Sequence, residues 1–166
     1  MSFALPLKVK WINLLLDSVA VLLIIITPAV THLTGIPFYM MEPMRLMLVL
    51  SMAHSNRINT YLLAAALPLL SWLLTGHPFF LKMIIISGEL LLNTALFYFF
   101  TRNLRSVFLP MLSSILISKI ACYLAYGLAF SWLFVQEEAG ILFLVIQLFM
   151  MIVFSTYIYI MRRKSE

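Results

Sequence analysis

The stretch MIIISGELLLN, residues 83–93, decides the fold class because it is a continuous apolar run rather than an alternating one. Such runs are typical of membrane-spanning helices, in which every backbone polar group is satisfied within the segment. The middle of the run nevertheless carries a carboxylate, Glu89, and Asn93 follows one helical turn later on the same face. Both side chains are costly to bury in lipid. The stretch therefore predicts a transmembrane helix with a polar contact or site inside a helix bundle.

The composition of the whole chain agrees with this interpretation. Of the 166 residues, 64% are hydrophobic and 10% are charged, whereas a soluble domain has about 25% charged residues. We expect an all-α, polytopic membrane protein that forms a single domain over residues 1–166. The lone Cys122 allows no disulfide within the chain, and the three histidines have no metal-ligand spacing.

Six spans are predicted, each of which needs about 20 residues to cross a bilayer. Short polar or Gly- and Pro-containing segments separate them, and we expect Pro68 to kink the third span. The apolar run after Lys8 and Lys10 resembles a signal peptide, but no clean small-x-small cleavage site follows, so we expect it to remain as the first helix. The predicted spans cover residues 11–32, 39–54, 59–75, 79–101, 106–132 and 139–161.

The basic residues predict the orientation of the spans. When six spans are threaded in turn, the opposite side to the termini carries Glu137 and Glu138. The positive-inside rule then puts both termini in the cytoplasm, which suits a multi-pass protein of the inner (cytoplasmic) membrane. The net charge of +5 is thus an orientation signal, and no nucleic-acid partner is expected. The basic residues on the cytoplasmic side are Lys8, Lys10, Arg57, Arg102, Arg105, Arg162, Arg163 and Lys164.

Polar residues inside the spans are the candidate site, because such residues usually face the bundle interior and mark ligand pathways. At about 1.5 Å per residue, Glu89 lies near the midplane and Lys119 lies in the outer half. Together with neighbouring polar residues they predict a substrate cavity open to the exterior and, as is usual for small-molecule sites, mostly apolar. Its candidate residues are Glu89, Asn93, Lys119, Tyr123, Tyr126 and Gln147.

Two interpretations of these charges stay open. Glu89 and Lys119, the basic residue nearest to it in depth, either bind a ligand or form a structural ion pair between helices. Asp17, near the cytoplasmic side, is expected to contact another helix or a partner, or to reach the interface.

The segment between the first two spans, residues 34–43, is rich in helix breakers and aromatic residues and is a candidate lid. At its end Glu42 and Arg45 are spaced for a local ion pair near the outer end of the second span. The candidate lid residues are Phe38, Tyr39, Glu42 and Arg45.

The segment AAALPLLSWLLTGHPFFLKMIIISGELLLN, residues 64–93, resembles the substrate-binding S components of energy-coupling factor (ECF) vitamin transporters. Chain length, span number and orientation agree with that family over the whole chain. The features that carry the resemblance are a proline in the third span, a small-residue loop with Gly and Pro, and an acidic residue with a polar neighbour: Pro68, Ser71, Gly76, Pro78, Glu89 and Asn93.

The resemblance implies a subunit that captures a vitamin or similar small polar molecule near the extracellular side, under a lid between the first two spans. It also implies that a membrane scaffold subunit and two ATPases supply the energy, so that this chain needs no cofactor. One feature departs from the family, whose first helix often carries an Ala-x-x-x-Ala contact motif. Here the alanine stripe lies on the fifth span, at Ala121, Ala125 and Ala129.

Two other functions compete with this one. A structural protein resembling the MreD-type scaffold of the cell-wall elongation machinery would have the same architecture and no small-molecule ligand. An intramembrane enzyme is the third candidate, because Glu137 and Glu138 resemble the paired glutamates of membrane-embedded prenyl-protein proteases. However, Leu142 stands where that family has an arginine, and no nucleophile with a nearby base or Gly-rich phosphate loop is found. No enzyme activity is therefore expected.

Overall fold

The computed structural model describes residues 7–35, 38–76, 78–104, 106–130 and 141–163. Within these ranges the chain forms six α-helices, one short 3-10 helix and no strand, so the predicted all-α class is confirmed. The 3-10 helix covers Phe38–Met41. The α-helices are α1 (Leu7–Thr34), α2 (Pro43–His54), α3 (Arg57–Thr75), α4 (Phe80–Asn103), α5 (Phe108–Phe130) and α6 (Ile141–Arg163).

Five of the described helices are long and apolar enough to cross a membrane, and α2 is the exception. The candidate stretches in α1, α3, α4, α5 and α6 contain between 19 and 24 residues, which is sufficient for a hydrocarbon core of about 30 Å. The 12 residues of α2 extend over only about 18 Å. By its helices the chain is a multi-pass membrane protein.

The short length of α2 corrects the predicted second span, which began at residue 39. Proline has no N–H, and it disfavours the α conformation in the residue before it, so the helix begins at Pro43. Glu42 adopts a left-handed conformation with φ 53° and ψ 60°, which is rare for a residue other than glycine. The residues before it form one turn of 3-10 helix. Hydropathy alone did not indicate this break, although Pro43 is a helix breaker in the sequence.

Although short, α2 is the central helix of the bundle and contacts α1, α3 and α6. A core cluster around Ala20 and Leu67 packs α1 and α3 against one side of α2. A second cluster around Phe97 and Phe154 packs α4, α5 and α6 against its other side. The buried residues of α2 are Arg45, Met47, Leu48, Val49, Ser51 and Met52.

Polar contacts fix one end of the bundle. They bring the first half of α1, the junction of α2 and α3, and the end of α6 together, so these segments share one end. Asp17 contacts another helix, α3, which was one of the alternatives that the sequence left open. The three hydrogen bonds run from Ser55 Oγ to Asn13 Oδ1 (2.7 Å), from Asn59 Nδ2 to Asp17 Oδ1 (3.0 Å), and between His54 Nε2 and Tyr157 Oη (2.9 Å).

Candidate functional site

Four charged side chains meet inside the bundle, and we refer to Glu42, Arg45, Glu89 and Lys119 as the ion network. Arg45 Nη1 donates to Glu42 Oε2 at 2.6 Å, and Arg45 Nη2 donates to Glu89 Oε1. Lys119 Nζ donates to the other oxygen of Glu42, Oε1. Two cations and two anions thus balance each other, and each charge has a partner of opposite sign.

Burial makes this balance necessary. The side chain of Arg45 is only 3% exposed, and those of Glu42, Glu89 and Lys119 are between 12% and 15% exposed. A buried charge without a partner is strongly unfavourable, because its desolvation is not offset by any attraction. Arg45, the most buried member, is the charge that two carboxylates share.

The members of the network lie at similar depths within the bundle. Counted along each helix from the end that contains His54, Arg45 lies about 14 Å in, Lys119 about 17 Å in and Glu89 about 21 Å in. The sequence prediction put Glu42 and Arg45 near the outer end of the short second span, and in the structure Glu42 precedes α2 and Arg45 lies in its first turn. Because α2 has only 12 residues, this turn lies at the level of Glu89 and Lys119, which Arg45 and Glu42 contact.

The pairing also differs from the expected one. One of the two open interpretations paired Lys119 with Glu89, but Glu89 pairs with Arg45 and Lys119 pairs with Glu42. The local ion pair between Glu42 and Arg45, three residues apart, is present as predicted. Depth alone does not determine which residues pair, because the pairing also depends on how each helix is rotated about its axis.

Two further predicted residues connect α5 to α6 near the network. Tyr123, one turn after Lys119, donates from Oη to Oε1 of the buried Gln147 at 2.8 Å. Tyr126 faces α4 instead, where Lys82 Nζ lies 5.7 Å from the centre of its ring. Tyr123 and Gln147 therefore continue the polar stripe next to the network, whereas Tyr126 belongs to a separate contact.

Asn93 is fully buried but does not join the ion network in the described contacts. Its Oδ1 accepts a hydrogen bond from Ser114 Oγ on α5 at 3.3 Å. Its Nδ2 has no acceptor among the described residues. Glu89 and Asn93, which the helical spacing placed on one face, therefore have different partners: the carboxylate of Glu89 pairs with Arg45 of α2, and the amide of Asn93 accepts from Ser114 of α5.

A cleft of about 220 Å³ opens between α4 and α5, and among the described residues Glu89 is the charged side chain that lines it. The other polar lining side chains are Ser118 and Cys122, and the Cys122 thiol is close enough to Glu89 to hydrogen-bond with it. The expected cavity contained Lys119 and Tyr123 beside Glu89, but neither residue lines this cleft. Lys119 faces α2 instead, because it reaches Glu42.

The candidate lid reaches the network through its last residues. The 3-10 helix packs against α1 and α6, with Phe38 partly buried and Tyr39 exposed. The backbone oxygen of Tyr39 accepts a hydrogen bond from the backbone N–H of Glu42 at 3.2 Å. A movement of this turn would therefore shift the backbone of Glu42 and act on its ion pairs.

Some predicted features lie outside the described residues, namely Glu137, Glu138, Arg105, Lys164 and His77.

The pairing of Arg45 with Glu89 and of Glu42 with Lys119 was not predicted, although the sequence contained a signal for it. Recognising Pro43 as the first helical residue and counting back from the polar residues after α2 places both charges near the level of Glu89.

The chain matches no protein family, and neither the curated proteins nor the solved structures contain a match to it.

The chemistry of the site follows from the four charged side chains of the ion network. Two cations and two anions lie in the interior with side chains no more than 15% exposed, where electrostatic attraction is stronger than in water. Such a site can exchange one charged partner for another of the same sign without leaving a charge unpaired.

Proposed function

We propose that this chain is the substrate-binding membrane subunit of an ECF-type uptake transporter, which captures a vitamin or similar small polar molecule from the extracellular side. The observation that carries the proposal is the ion network. It links Glu42 and Arg45, the last of the candidate lid residues, to Glu89 and Lys119 on two long helices. Ionisable groups at this depth are expensive and commonly mark the path of a substrate.

The network gives such a protein a means of coupling capture to closure. Because Glu42 lies at the end of the turn that begins with the 3-10 helix, an opening of this turn separates Glu42 from Lys119. A polar ligand that restores the lost ionic contacts would favour the closed arrangement. The energy of closure then comes from the ligand, as it must for any change that a ligand drives.

The proposed topology has six crossings of the inner (cytoplasmic) membrane, with both termini in the cytoplasm. Arg57, Arg102, Arg162 and Arg163 support it, because they belong to the helix ends that share one end of the bundle. In this topology the 3-10 turn and α2 together make the second crossing. Non-helical backbone at membrane depth is tolerated where protein surrounds it, as the packing of this turn against α1 and α6 allows.

The proposed partners are the small-molecule substrate, a membrane scaffold subunit and two ATPase subunits. They follow from the resemblance of residues 64–93 to ECF S components. The departure from that family remains, since α1 has no Ala-x-x-x-Ala pair. The small residues Ala121 and Ala125 of α5 instead line the cleft with Gly88 of α4.

A second candidate is an MreD-like structural scaffold, and one observation favours it. The four charges of the network satisfy each other without a ligand. In a scaffold they would hold α2, α4 and α5 in register, and no small molecule would bind.

Extraction of bound small molecules separates these functions. Wild-type protein is purified in a mild detergent, and the denatured extract is analysed by mass spectrometry. We expect a small polar molecule in near-stoichiometric amount from the wild type and from Arg102→Met, and its loss from Arg45→Met. Arg102 is the matched control because it is an exposed arginine at the end of α4. If folded wild-type protein yields no such molecule, the transporter proposal is contradicted and the scaffold is favoured.

A further inference from the structure

We infer that the ion network is a carboxylate-exchange site, in which Glu42 occupies the position that a carboxylate of the ligand takes on binding. The inference rests on the proposed function and deepens it, because it assigns the substrate to the carboxylic acids. It follows from the conformation of Glu42, from the groups around its carboxylate and from the charge balance of the site.

The backbone of Glu42 identifies it as the exchangeable acid. Its left-handed conformation persists in a non-glycine residue only when the surroundings hold it, and such residues cluster at ligand clamps and switch regions. Glu42 is held by its carboxylate contacts with Arg45 and Lys119 and by backbone hydrogen bonds with Tyr39 and Leu46. Glu89, the other acid, lies in the regular interior of α4. Of the two acids, Glu42 is therefore the strained one and the one that we expect to exchange.

The position of the Glu42 carboxylate is built for an anion with two oxygens. Arg45 Nη1 holds one oxygen and Lys119 Nζ holds the other. A guanidinium and an ammonium that converge in this way suit a carboxylate, because charge-assisted hydrogen bonds are strong and directional.

Hydrogen-bond donors next to this position lack an acceptor among the described residues, so a ligand anion can form hydrogen bonds there that the Glu42 carboxylate does not form. Arg45 Nε is buried and has no acceptor in the described part of the chain. The Glu42 side chain does not cap α2, so the first-turn backbone amides of Met44 and Arg45 lack the acceptor that an N-cap residue usually supplies. This positive helix end lies inside the bundle, where half-helix ends bind anionic groups of substrates in other transporters. A free carboxylate is less constrained than Glu42 and can approach these donors.

Charge balance selects an acid over other ligands. When a ligand carboxylate replaces that of Glu42, the buried site keeps two anions and two cations. A cationic ligand would have to displace Arg45, which is 3% exposed and held by two carboxylates, or Lys119, which lies in the regular interior of α5 and has no strained backbone that marks it for exchange. A neutral ligand that displaced Glu42 would leave Lys119 without an anion, which is costly at this burial.

Chemical rescue tests the inference. Glu42→Gly removes the carboxylate and leaves a hole, while glycine adopts the left-handed conformation at no cost. We expect a lower melting temperature in detergent, and we expect sodium formate to restore most of the loss. Formamide, which has the same shape without the charge, and sodium chloride at the same concentration should not restore it. Asp17→Gly is the control, because Asp17 is an acid outside the network and formate should leave its melting temperature unchanged.

If Glu42→Gly gives no folded protein without additives, its folded yield after purification in formate or in formamide provides the same comparison. Equal effects of formate, formamide and chloride, or no effect of formate, overturn the inference. The molecule extracted from the wild type separates this failure from that of the proposed function. A neutral or cationic molecule overturns the carboxylate assignment and leaves a binding protein. Rescue by formate without any extracted molecule supports the carboxylate site and contradicts the transporter.

Discussion

Arg45 on α2 donates from Nη2 to Oε1 of Glu89 on α4, and the same guanidinium donates from Nη1 to Glu42. One buried cation is thus shared by two carboxylates. The balance is completed only by Lys119, which reaches Glu42 from α5. Because the four charges are buried together, the loss of one changes the environment of the other three.

Arg45→Met is expected to destabilise the fold strongly. It leaves two buried carboxylates with a single cation, and the breaking of a buried ion pair typically costs about 3–5 kcal/mol. The double variant Arg45→Met/Glu89→Gln restores neutrality between Glu42 and Lys119, so it should be more stable than Arg45→Met alone. Thermal unfolding in detergent measures both, with exposed Arg102→Met as the control. A double variant less stable than the single one would contradict the network.

Glu89→Gln distinguishes a ligand contact from a structural one. Glutamine keeps the shape of the side chain and removes its charge, while Arg45 retains Glu42. Glu89 lines the cleft, where it would accept a hydrogen bond from an N–H or O–H group of the ligand rather than contact its carboxylate. A charge-assisted contact of this kind is worth about 1.5–3 kcal/mol, so we expect roughly a tenfold to hundredfold loss of affinity for the extracted ligand. Calorimetric titration measures this loss, and the yield of folded protein should change far less. Normal affinity with a protein that no longer survives detergent would make Glu89 structural.

Tyr123→Phe should weaken the contact between α5 and α6. It removes the hydrogen bond to Gln147 and leaves a buried amide without this partner, for an expected loss of about 0.5–1.5 kcal/mol. Tyr159→Phe is the matched control, since Tyr159 is 40% exposed on α6. Melting temperatures of the two variants provide the comparison. Equal changes would show that the hydrogen bond contributes nothing measurable.

Cysteine labelling in intact cells tests the topology. In a Cys122→Ser background, a cysteine at Glu137 should react with a membrane-impermeant maleimide from outside. A cysteine at Arg102 should react only after the cells are opened, because positively charged segments stay in the cytoplasm. Protein expression levels of the two variants serve as the control. Labelling of both positions from the same side would rule out six crossings in this order.

Ligand binding is expected to slow the motion of the candidate lid. A spin label at Tyr39, which is 58% exposed, reports on the 3-10 turn, and one at Ile58, 74% exposed at the other end of the bundle, is the control. The Tyr39 spectrum should broaden with saturating ligand, while the Ile58 spectrum stays the same, because closure orders only the turn. Unchanged mobility at both positions would count against a lid.

Properties that act within a single helix were predictable from the sequence. The fourth span was predicted over residues 79–101 and α4 covers Phe80–Asn103, while the third was predicted over residues 59–75 and α3 covers Arg57–Thr75. Hydropathy marks such spans because each must be apolar over its own length. The importance of Glu89 was also evident, since a carboxylate in an apolar run needs a partner wherever it lies.

Relationships between helices were decided only by the tertiary structure. Arg45 and Glu89 are 44 residues apart, and Lys119 and Glu42 are 77 residues apart. Their pairing depends on the rotation of each helix and on the depth at which α2 begins, which no local pattern in the sequence records. The sequence determined which charges would need partners, because burying a charge costs energy in any fold. The packing of α2 at the centre of the bundle determined which partners they found.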